Sequence, residues 1–95
     1  MDKKFLTKVL NKILSEVYLD ERENKIYFPF LSIDINHLAI LFMGNMEHSI
    51  SPAIIGTNFY NHCRNVYGLK DEEIDFIWPI FKNIVKDSVN RAHGE

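Results

Sequence analysis

The chain has 95 residues, of which 46% are hydrophobic and 25% charged, with a net charge of −2. That length holds one modest core and excludes separate cofactor and substrate domains, so a single domain over residues 1–95 is expected. The apolar content excludes a disordered chain. The slight acidity removes the long-range pull toward phosphate backbones on which a dedicated nucleic-acid binder relies.

From residue 3 to residue 18 the apolar positions Phe5, Leu6, Val9, Leu10, Ile13, Leu14 and Val17 fall on one half of a helical wheel, which predicts an amphipathic helix. Lys4, Lys8 and Lys12 form a row on the opposite face, read as solvated. The polar stretch 20–25 ends this helix in a turn. Residues 26–33 are rich in β-branched and aromatic side chains, and 38–43 form a continuous apolar run. The two are expected to pair as a hairpin through Asp34, Ile35 and Asn36, with Pro29 on an edge or at a bulge. A rival reading makes Asp34 an N-cap and runs a helix from 35 to 46.

Ser51-Pro52 is a helix start: a serine oxygen accepts a free amide hydrogen, and proline occupies the first turn, where its missing N–H is harmless. Gly68 is the stop. Within this helix Ile55, Phe59, His62, Cys63, Val66 and Tyr67 share the core arc, while Ile54 lies among the asparagines of the other face. The last helix is expected from Asp71, whose acidic neighbours suit the positive end of the helix dipole, to about Arg91. Its core stripe is Ile74, Ile77, Trp78, Phe81, Ile84, Val85 and Val89, with Phe76 and Ile80 an i, i+4 pair outside it. Pro79 falls on the far face and predicts a kink there or a break after Trp78. The fold class is therefore α+β: an amphipathic helix, a two-stranded hairpin and two C-terminal helices.

A single cysteine, Cys63, excludes an intramolecular disulfide and suits a reducing compartment, so a cytoplasmic location is expected. Lysines interrupt the N-terminal apolar residues, unlike a signal peptide, and the run 38–43 is far below the roughly 18 residues of a membrane span. His37, His48, His62 and His93 show no metal-ligand spacing, and adjacent His62 and Cys63 diverge on a helix, so no metal and no cofactor are expected. Cys63 in an apolar face reads as buried and inert, and His62 as a hydrogen-bonded structural side chain. The carboxylates cluster at helix ends, where solvation and the dipole account for them without acid–base catalysis.

Residues 41–69, LFMGNMEHSISPAIIGTNFYNHCRNVYGL, resemble the first strand–loop–helix of shikimate dehydrogenases, in which a Gly-Asn and a His-Ser-x-Ser-Pro segment lead into a helix. The resemblance implies that Ser49 and Ser51 match the two serines that hold the substrate carboxylate, and it supports 38–43 as a strand. The pattern departs elsewhere. Met46 replaces a proline, Ile55-Gly56 replaces a His-Asn pair, and the chain has neither the family's lysine-bearing motif nor a glycine-rich nucleotide turn.

These residues point to a non-enzymatic interaction module, such as a regulator, inhibitor, immunity-type or adaptor protein. It would act through Ile54, Phe76 and Ile80, whose apolar side chains face outward, and would bind a protein partner or a second copy as a homodimer. A first alternative is a small-anion or metabolite sensor holding its ligand with His48, Ser49 and Ser51 at the Ser51 helix terminus. A second is a helix-turn-helix DNA-binding regulator built from the last two helices, against which the carboxylates opening the final helix count directly.

Overall fold

In the computed structural model, residues 1–36 and 51–94 are described, without the side chains of 51–54, 90 and 92–94. The first helix, α1, spans Lys3–Ser15. Asp2 caps it, its carboxylate accepting the Phe5 amide at 3.1 Å. Leu6, Val9, Leu10 and Ile13 form its buried stripe, while Phe5, at the margin of the apolar arc, is 44% exposed.

The chain then makes a three-stranded antiparallel meander of β1 (Tyr18–Asp20), β2 (Lys25–Phe28) and β3 (Leu31–Asp34), in the order β1-β2-β3. Three expectations are corrected here. The first helix stops at Ser15 rather than running to Tyr18, and Tyr18–Asp20 becomes an edge strand paired with β2. The stretch 26–33 is not one strand: it splits at Pro29 and Phe30, which join Phe28 and Leu31, themselves opposite one another in the ladder. Proline's fixed φ and missing amide suit the first central position of a turn better than a place in the ladder. The third correction concerns the connection at 34–36. Asp34 closes β3, its carboxylate accepts the Asn36 amide at 2.9 Å, and the backbone at Ile35 and Asn36 is helical. That capping role belongs to the rival reading. The partner strand expected at 38–43 lies outside the described residues.

Pleating sorts the sheet's side chains with period two. Leu19, Ile26 and Ile33 occupy one cross-strand row, and Ile26 and Phe28 are buried. Tyr18 and Tyr27 pair on the other face, their ring centroids 6.0 Å apart.

Two helices follow, α2 (Ser51–Tyr67) and α3 (Asp71–Gly94). Gly68, at φ +64°, reverses the chain between them in the left-handed region that glycine occupies without strain. The Leu69 amide returns to the Cys63 carbonyl at 3.2 Å. Lys70 is the N-cap of α3, and Glu73 reaches back to its amide at 2.8 Å, one half of a capping box. Of the two outcomes expected at Pro79, a kink or a break after Trp78, the break does not occur. Helix α3 runs unbroken through it, with Pro79 exposed so that the missing hydrogen bond falls where water replaces it.

One core joins α1, the β2–β3 hairpin, α2 and α3. Phe59 and Phe81, both fully buried, stack at 4.6 Å between α2 and α3. Phe30 folds back from the turn onto Phe59 at 6.1 Å, and Phe28 meets Phe81 at 5.9 Å, which fastens the sheet to the helix pair. The fold is α+β.

Candidate interaction surface

Helix α3 presents two faces with different fates. Ile74, Ile77, Phe81, Val85 and Val89 are buried, as their spacing predicts. Phe76 is half-buried against this core, and the Lys3 ammonium lies 5.6 Å from its ring centre. Ile80 is 40% exposed. Ile84, expected in the core stripe, is also 40% exposed, because it sits on the margin of the buried arc. The other residue expected at this surface, Ile54, has its side chain outside the described residues.

Phe76, Ile80, Ile84 and Ser88 stand four residues apart, and on a helix of 3.6 residues per turn each such step advances about 40°. The row therefore crosses α3 obliquely along its α1 side. It begins under Lys3 and ends at a groove of about 350 Å³ lined by Leu14 and Val17 from the end of α1, Leu19 and Ile26 from the sheet, and Ile84, Val85, Ser88 and Val89 from α3. Ser88 is the one polar side chain among these lining residues, and its hydroxyl donates to the Ile84 carbonyl at 3.0 Å. The lining thus offers little to orient a polar ligand. Sites for small metabolites set a few convergent polar groups in an apolar wall.

Several polar side chains of the α2–α3 hairpin are engaged within the fold. Tyr60 donates its hydroxyl to Asp75, and the Arg64 guanidinium donates to Asp71 at 2.8 Å and to Asn61 at 3.2 Å while lying 5.6 Å from the Tyr60 ring centre. Burial, the bond to Asp75 and the charge of that carboxylate push the Tyr60 phenol up to about 12. Glu73 thus caps α3, while Asp71 and Asp75 clamp it to α2. Cys63 is fully buried, and burial pushes its thiol up to about 12, far from a thiolate nucleophile near neutral pH.

His62 lies between the Phe30 ring at 5.5 Å and the Tyr67 ring at 5.8 Å. Among the described residues the hydrogen bond expected of it is not made at Nε2, which is buried and has no partner there. Val66, placed in the core arc by spacing, is 60% exposed at the last turn of α2. His48 and Ser49 lie outside the described residues, as does the side chain of Ser51, whose backbone opens α2.

The sequence reading missed Ile84 and the groove. The signal for Ile84 was its place four residues beyond Ile80, which continues the outer row as well as the inner one. The groove has no such signal, since it is assembled from α1, the sheet and α3. Among the described residues no helix is long and apolar enough to cross a membrane, and no three His, Cys, Asp or Glu side chains are grouped to hold a metal ion. Comparison of the chain with family models, with curated proteins and with solved structures finds no match.

Proposed function

We propose that this chain is a non-enzymatic protein-interaction module that docks a protein surface, either a partner or a second copy of itself, along the outer row of α3. The observation that carries the proposal is the oblique apolar row Phe76, Ile80, Ile84 and its continuation into a groove whose one polar lining hydroxyl is already bonded internally. Apolar residues scattered singly over a surface are ordinary. A contiguous row leading to an apolar concavity has the form of the anchors and pockets that interfaces use. The internal engagement of the Cys63, Tyr60 and Asp71 side chains adds support, because it leaves these groups to structure rather than to chemistry.

The test pairs Ile80→Lys with Ile84→Lys, two exposed positions on an intact helix where lysine is a good helix former. Light scattering reads self-association, and affinity capture with the parent and the double variant reads hetero-association. The expected result is a complex, either a dimer or a retained partner, that the parent forms and the double variant loses while both melt alike. A monomeric parent that retains the same proteins as the double variant overturns the proposal.

A further inference from the structure

We draw no further inference here: the strongest candidate, the apolar groove between the end of α1, the inner face of β1 and β2 and the C-terminal half of α3, belongs to the surface already described, and nothing in the structure shows what covers it.

Discussion

Tyr60 and Cys63 lie three residues apart on α2, and both resist losing a proton, for different reasons. Cys63 is held neutral by burial alone, whereas Tyr60 combines burial with a donated hydrogen bond to a carboxylate that repels a second negative charge. Both titrate near 12 in the fold, against ordinary values of 9.0 and 10.0. A folded-state pKa raised above the unfolded value gives stability that is complete below the unfolded pKa and lost as pH rises through the folded one. Melting temperature should therefore hold steady through neutral pH and fall between about 9 and about 12. Burial also raises the Tyr67 phenol, so spectrophotometric titration should show late-ionising phenols of which Tyr60→Phe removes one, and an ordinary midpoint for every tyrosine would refute the burial and the Asp75 link. The Cys63 thiol should stay unmodified in native protein near neutral pH and react on unfolding; fast labelling of the native state would contradict its burial. In the core, Phe59→Ala and Phe81→Ala should each cost about 3–5 kcal/mol in denaturant unfolding, because each removes a fully buried ring that its stacked neighbour cannot replace.

The helices were legible because their information is local. A periodic apolar stripe, Ser51-Pro52 at its opening and Gly68 after it marked α2 within the chain, and the acidic opening of α3 marked the next start. The strands were harder. A three-residue strand has no periodicity of its own, and β1 exists because β2 pairs with it, so Tyr18 read equally well as the end of a helix. The cross-helix clamps had an overlooked signal. When two helices turn back through a short loop, residues equidistant from its middle come to face one another, as Tyr60 does Asp75 and Arg64 does Asp71. Two glycines test this hairpin in opposite directions. Gly68→Ala should destabilise by roughly 1–2 kcal/mol, since a Cβ at this φ is strained even with open space around it, and Gly68→Asn should cost less. Gly56→Ala should stabilise by up to about 1 kcal/mol, because the added methyl meets Trp78 at an ordinary 3.4 Å and the helix loses a flexible residue. Equal melting for Gly68→Ala and the parent would show that the turn is not held as described.

At the scale of the molecule, α+β was legible because three long amphipathic segments and a β-rich stretch leave few other arrangements, and one core built from all of them was expected at this length. Exposure along the surface was not legible. Whether Ile84 or Val66 is covered depends on how the neighbouring elements pack, which no single-helix wheel contains. Phe76 is the converse case, a residue whose spacing places it outside the stripe and which α1 partly covers through Lys3.

Trp78 is the chain's single tryptophan, and its ring lies 5.3 Å from Phe59 and 6.2 Å from Phe81. On the helical wheel it points away from Ile80, so the indole is an optical reporter of the α2–α3 seam that is blind to events on the outer row. Its emission should shift to longer wavelength when the aromatic cluster opens to water, in step with unfolding by any other probe. Association along the outer row should leave the emission unchanged. Native emission from the Ile80→Lys, Ile84→Lys chain would then certify its fold without reference to any partner, and a loss of complex in such a chain would speak for the surface alone.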